Sequence, residues 1–150
     1  MPHSLTHILI HALFSTKRRE PMIDRKLRPR LWAYAGGIVH ECGGGVVAIG
    51  GTADHVHVLF TIPPTASVAD MMRLVKTNSS RWVHEEFPAR RSFAWQTGYA
   101  AFSVSTSNVE RVKRYIADQE AHHRKATFRE EYLAFLKRHG VAYDERYLWD

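Results

Sequence analysis

Residues 46–62 read Val-Val-Ala-Ile-Gly-Gly-Thr-Ala-Asp-His-Val-His-Val-Leu-Phe-Thr-Ile. Two apolar, β-branched runs, Val46–Ile49 and His55–Ile62, flank a five-residue turn, so they pair as a hairpin. Pro63-Pro64 stops the second strand. Upstream, residues 5–14 form a first strand, and Asp24 caps a helix to about Glu41 that Gly43-Gly44-Gly45 ends. Downstream, Ser67 with Asp70 opens a helix reaching Pro88, and residues 93–105 form a fourth strand region. The order strand, helix, strand, strand, helix, strand is the split βαβ pattern. The expected fold is therefore α+β and ferredoxin-like, a mostly antiparallel sheet with two helices on one face. The other face is left for a ligand, another chain or the trailing helices. Ser107 and Glu110 form a capping box for a helix to about Lys125. Thr127 and Glu130 repeat it for a helix Phe128–His139, closed by Gly140. The tail, with Tyr143, Tyr147, Leu148 and Trp149, is expected to dock on the body or on a second subunit. No linker divides the chain, so residues 1–150 read as one domain.

Composition narrows the function classes. Of 150 residues, 45% are hydrophobic and 24% charged, which excludes disorder or a coiled-coil rod for the whole chain. No apolar run approaches the ~20 residues of a spanning helix, and no secretory pattern opens the chain. One cysteine, Cys42, excludes an intrachain disulfide and a cysteine-built zinc cage, and fits a reduced, cytosolic setting. Lys and Arg number 21 against 15 Asp and Glu, a formal +6 that suits a polyanionic partner.

Three constellations carry chemistry. On a strand, His55 and His57 share one face about 6.5 Å apart, while Val56, Val58 and Phe60 point to the core. Two imidazoles side by side can bind a divalent metal; the same pattern also fits two exposed histidines on an amphipathic strand. Second, Tyr115, Gln119 and His122 share a helix flank. A tyrosine can attack phosphorus when a metal polarises the phosphate, and an amide oxygen can ligate that metal; a half-buried packing tyrosine fits equally well. Third, basic residues crowd the first connection, Lys17, Arg18 and Arg19, and the second helix, Arg73, Lys76 and Arg81, with aromatics interleaved.

Together these features resemble the TnpA-type single-tyrosine HUH transposases of small bacterial insertion sequences, with the REP-associated tyrosine transposases as close relatives. The resemblance runs through His7 to Arg19, Ala53-Asp-His-Val-His-Val-Leu59, Trp95-Gln-Thr-Gly-Tyr99 with Ala101-Phe-Ser-Val-Ser105, Tyr115-Ile-Ala-Asp-Gln119 with His122-His123, and Tyr143 to Leu148. It implies an HUH endonuclease fold, with the tyrosine on a C-terminal helix. It implies that His55, His57 and Gln119 bind Mg2+ or Mn2+, and that Tyr115 attacks single-stranded DNA to give a 5′-phosphotyrosine and a free 3′-hydroxyl. It further implies hairpin DNA ends as partners, a cytoplasmic, nucleoid-associated setting, and a homodimer in which the tyrosine is supplied in trans. Two rivals stand beside this reading. One is a host-retained relative that processes repeated extragenic hairpins by the same chemistry. The other is a non-catalytic nucleic-acid-binding module on a ferredoxin-like sheet, which would form no covalent adduct with DNA.

Overall fold

A computed structural model describes residues 4–149. The elements are β1 (Leu9–Ser15), α1 (Arg28–Glu41), β2 (Gly45–Gly51), β3 (His55–Thr61), α2 (Val68–Glu86), β4 (Ala100–Val104), α3 (Val109–Ala117), α4 (Gln119–His123) and α5 (Phe128–Arg138). The strands form one antiparallel sheet in the order β2-β3-β1-β4. The α+β, ferredoxin-like fold expected from the sequence is the fold observed.

Alternation on the central strands divides the molecule into two layers. Ile10, Ala12, Phe14, Val56, Val58 and Phe60 pack against Ile38 and Val39 of α1 and Met71, Met72 and Val75 of α2. The opposite face carries Leu9, His11, Leu13, His55, His57 and Leu59. The trailing helices cover it: Ile116 of α3 packs on Leu9 and Leu59, and Phe128, Tyr132 and Leu136 of α5 pack on Leu13 and Phe102. Burying a side chain such as Ile116 contributes about 2 kcal/mol, so each trailing helix is held mainly by its apolar stripe.

Several boundaries differ from the sequence expectation, each for a local reason. β1 begins at Leu9, opposite Thr61 at the end of β3; residues 4–8 stay exposed, with Ile8 O still accepting from Ile62 N–H at 3.0 Å. The fourth strand is only Ala100–Val104. Ahead of it, Gln96 replaces regular pairing by donating its N–H to Ser15 O at 2.9 Å and accepting from Ser15 N–H at 2.7 Å. Asp24 caps a turn rather than the helix itself, its Oδ1 accepting from Leu27 N–H at 2.8 Å. Ser107 does not cap α3. It lies in a 3-10 turn, Thr106–Asn108, with its hydroxyl on Ser105, and α3 starts without a side-chain cap. The single helix expected to run to Lys125 is broken at Asp118 (φ −97°, ψ 22°) into α3 and α4.

The Thr127–Glu130 capping box is present as read. Gly140, at φ +66°, ends α5 with Gly140 N–H donating to Lys137 O and Val141 N–H to Leu136 O, a Schellman pair. The tail docks on its own chain through Trp149, which packs on Tyr132, and through Leu148 O, which accepts from Gln96 Nε2 at 2.8 Å.

Gly50 sets how closely α3 approaches the sheet. A Cβ there would lie 2.7 Å from Ile116 O and 3.1 Å from Ile116 Cγ2. Gly50→Ala is expected to lift α3 off β2 and to lower the melting temperature by a few degrees. A variant that melts with the parent would show that α3 needs no such approach.

Candidate active site and metal centre

The β2–β3 turn and the start of β3 orient His55. Its Nδ1 stands 2.8 Å from Asp54 Oδ1 and 3.0 Å from Thr52 Oγ1, and its ring stacks on Phe128 at 4.4 Å. Asp54 and Thr52 thus orient the ring so that its Nε2 points away from the β2–β3 turn. That nitrogen faces Gln119 Oε1 at 2.8 Å. The Gln119 amide is fixed by its Nε2–H, which donates to Tyr115 O at 3.1 Å. His57 is held at both ends: Nδ1 lies 2.8 Å from His11 Nε2, and Nε2 lies 3.0 Å from Glu131 Oε1.

Both histidines are 0% exposed, which corrects the expectation of an open strand face. A strand's pattern fixes which way its side chains point but not what covers them. Here α4 and α5 fold over the pair and bring polar partners, so burial leaves no imidazole unpaired.

Glu131 is the residue the sequence reading missed. It is 4% exposed and sits among His57, His122, His123 and Tyr115. The signal was available on α5. Phe128, Tyr132, Phe135 and Leu136 define its apolar face, and Glu131 lies within that stripe, where an unpaired carboxylate would be costly. Burial alone would raise its pKa, but the bonds from His123 and His57 outweigh burial and hold it well below the usual carboxylate range. His123 is pushed down by burial and pulled up more strongly by Glu131, so its pKa rises.

Tyr115 Oη donates to Glu131 Oε2 and lies 3.2 Å from His122 Nε2. Burial, the Glu131 charge and this bond push its pKa above the usual phenol range, while Gln119 and then Arg138 pull the other way. The break at Asp118 does not separate Tyr115 from Gln119. Ile116 anchors one side of it and buried Gln119 the other, so the phenol, the amide and the histidine pair converge within one chain.

The residues fit a divalent metal. His55, His57 and Glu131 each offer an atom within 4.8 Å of the others, and Gln119 Oε1 lies at hydrogen-bond distance from His55 Nε2. Ligands about 2.1 Å from a cation at right angles stand about 3.0 Å apart, comparable to the 2.8 and 3.0 Å separations here. His55 Nε2 and Gln119 Oε1, 2.8 Å apart, are both atoms that a cation could take as ligands. A mixed nitrogen and oxygen donor set suits Mn2+ and tolerates Mg2+.

In the metal-free protein these buried imidazoles make stability depend on pH. Burial lowers His57 to about 4 and His11 to about 3, below the 6.5 of an unfolded chain. Between those values the unfolded chain binds protons that these two imidazoles refuse, so their contribution is full above pH 6.5 and falls as pH drops toward 4, whereas raised His123 contributes below pH 6.5 and loses that contribution as pH rises. Urea midpoints of the metal-free protein should fall through that window; a flat profile would contradict neutral, buried imidazoles.

The other basic residues named from the sequence lie apart from this cluster. Lys17, Arg18 and Arg19 form a 3-10 turn directly after β1, at the end where Ser15 pairs with His55. Arg18 and Arg19 both have positive φ, 56° and 57°, and the Arg19 guanidinium lies over Trp149 at 4.7 Å. Arg73 and Arg81 are exposed on α2, which packs on the face opposite the histidines. Lys76 donates to Thr97 O and Gly98 O, both at 2.8 Å, and so fastens the approach to β4.

Comparison with known proteins gives one consistent result. The chain is 35% identical over 72 residues to transposases for the insertion sequence element IS200 from Salmonella typhimurium and Salmonella typhi. The match covers 45% of this chain and 47% of theirs, so the chain spans about half the length of the curated relatives it matches. Its fold is similar to a Deinococcus radiodurans chain described as a transposase, with a TM-score of 0.64 at 22% identity over 79% of this chain and 95% of that one. It is also similar to a REP-associated tyrosine transposase solved with a REP hairpin, at 0.60 and 12% identity over 82% and 72%. The family model for IS200-like transposases matches residues 4–119, a span that holds His55, His57, Tyr115 and Gln119 and stops short of Glu131. With most of its length matched in this way, the chain belongs to the IS200-like transposase family.

Proposed function

We propose that this chain, as one HUH-type catalytic domain over residues 1–150, cleaves and rejoins single-stranded DNA by transesterification through Tyr115. The observation that carries the reading is the convergence of the Tyr115 hydroxyl with two imidazoles, an amide oxygen and a carboxylate in one buried cluster. His55, His57, Gln119 and Glu131 would hold Mg2+ or Mn2+, which when bound would polarise the scissile phosphate. Tyr115 Oη attacks phosphorus, and its P–O bond forms as the bond to the 3′-oxygen breaks. Glu131 Oε2 and His122 Nε2 stand within hydrogen-bond reach to receive the phenol proton, and the departing 3′-oxygen takes up a proton as a 3′-hydroxyl. One ester replaces another, so no ATP is required, and rejoining is the same step reversed with a new 3′-hydroxyl. The hairpin bound by the REP-associated relative and the formal charge of +6 support a structured single-stranded DNA substrate.

The packing of α3 on its own sheet supports attack within one chain. The homodimer with the tyrosine supplied in trans rests on the family resemblance. Mixing inactive His57→Ala and Tyr115→Phe proteins under subunit exchange separates the two: a cis site stays dead, whereas a trans site regains cleavage.

The test of the function uses single-stranded DNA from the flanks of the reading frame, labelled at one end or the other. A 3′ label should become protein-linked on a denaturing gel, and a 5′ label should leave on a shorter free strand. EDTA should abolish both products, and Mg2+ or Mn2+ should restore them. Absence of any adduct with metal present, or transfer of the 5′ label to protein, would overturn the reading.

A further inference from the structure

Two cavities share His11, Arg111, Val112, Phe135 and Arg138 in their linings. The larger, about 440 Å³, lies between α3–α4 and α5, with Tyr115, His122, Glu130 and Glu131 in its lining. The smaller, about 250 Å³, runs along β4 past Ser103, Ser105 and Asn108. Arg111 and Arg138 line both cavities and so straddle the junction between them, with Val112 and Phe135 as the apolar wall. β4 is an edge strand, so the combined groove leads from the phenol out to the side of the sheet.

Two further observations say what fits there. Neither Arg111 nor Arg138 pairs with a carboxylate among the described residues, unlike Arg25, Arg28, Arg30, Arg90, Arg129 and Arg146. The Arg138 guanidinium instead lies over the Phe135 ring at 5.6 Å. The smaller cavity is also lined by three nearly parallel rings. Phe102 and His139 stack at 4.1 Å and 18°, and Phe135 lies within 16° of both. His139 is exposed. Free guanidiniums beside a stack of flat rings match a polyanion that carries bases with open faces, and a groove between two helices has room for one strand, not a duplex.

Building on the function proposed above, we infer that this groove holds the single-stranded DNA flanking the scissile phosphate. Arg111 and Arg138 clamp its phosphates, and one base stacks on the Phe102–His139 pair. The two arginines and the ring stack thus set the register in which a phosphate arrives at Tyr115.

The test measures binding of a single-stranded oligonucleotide from the cleaved flank, using the full chain with Tyr115→Phe so that no adduct forms. Arg111→Gln and Arg138→Gln should each weaken binding about 5- to 20-fold and reduce the salt slope by about 0.7. His139→Ala should weaken it about 5-fold or more without changing that slope. Lys113→Gln, which removes the same charge elsewhere on α3, should change affinity less than about twofold. In the Tyr115-containing protein, Arg138→Lys should recover part of the cleavage lost in Arg138→Gln. If the double arginine variant binds with the parent's affinity and slope while the parent still forms its adduct, the clamp is wrong and the tyrosine chemistry stands. If the parent neither binds single strands nor forms an adduct, both readings fall. If the double variant instead changes its elution volume on gel filtration and keeps its DNA affinity, the groove joins copies of the chain and the clamp is overturned.

Discussion

Tyr115→Phe is expected to abolish the covalent protein–DNA adduct, by at least about a thousandfold, while leaving fold and DNA affinity nearly unchanged. The ring stays, so its contacts with Phe135 and His57 persist. Only the hydroxyl is lost, and with it the bonds to Glu131 and His122. Glu131 does not become an orphan, because His57 and His123 still face its other oxygen at 3.0 and 3.1 Å. The stability change should therefore be about 1 kcal/mol or less. Thermal melting and oligonucleotide binding check the first half, and a denaturing gel checks the second. An adduct surviving in this variant would assign the attack to another tyrosine, with Tyr132 and Tyr143 the next to substitute.

His57→Ala should fail twice, in chemistry and in stability. An open strand face would have made this substitution harmless to the fold; the buried position makes it costly. The imidazole bridges His11 and Glu131, so its removal leaves a cavity and strips one partner from each. Such losses cost about 2–4 kcal/mol, or roughly 5–15 °C of melting temperature for a domain of this size. A site holding Mn2+ in the native state alone also raises the parent's melting temperature with metal concentration, and that rise should vanish in the variant. His57→Gln retains hydrogen-bonding capacity and should restore part of the stability without restoring the adduct. A His57→Ala protein that melts with the parent and keeps the Mn2+ response would remove His57 from both roles.

These two variants separate parts of the site that differed in legibility. Tyr115 and Gln119 are four residues apart, and a helical repeat alone puts them on one flank. His55 and His57 are two apart, and strand alternation alone puts them on one face. Both relations are short-range consequences of backbone geometry, so they survive even though the helix expected across residues 107–125 breaks at Asp118. The break changes where α4 points but keeps Gln119 buried at 1% exposure.

Local periodicity also determined the larger frame. The hairpin at residues 46–62, the caps at Ser67 and Thr127 and the alternating apolar positions specify four strands, two helices on one face and further helices to follow, which is the ferredoxin-like sheet observed. What no local pattern contains is the choice of partner across the uncovered face. Glu131 lies 74 positions from His57 in sequence, and His11 reaches the same imidazole from a neighbouring strand. Their roles depend on α5 lying across the sheet, which is decided by how Phe128, Tyr132 and Leu136 fit against Leu13, Ala100 and Phe102. Burial, shifted pKa values and the meeting of candidate ligands are properties of that packed arrangement. The sequence alone determined which side chains could do the chemistry, because spacing along the chain controls direction. The tertiary structure decided that they meet, in what environment and beside which carboxylate, because only packing between distant segments controls distance.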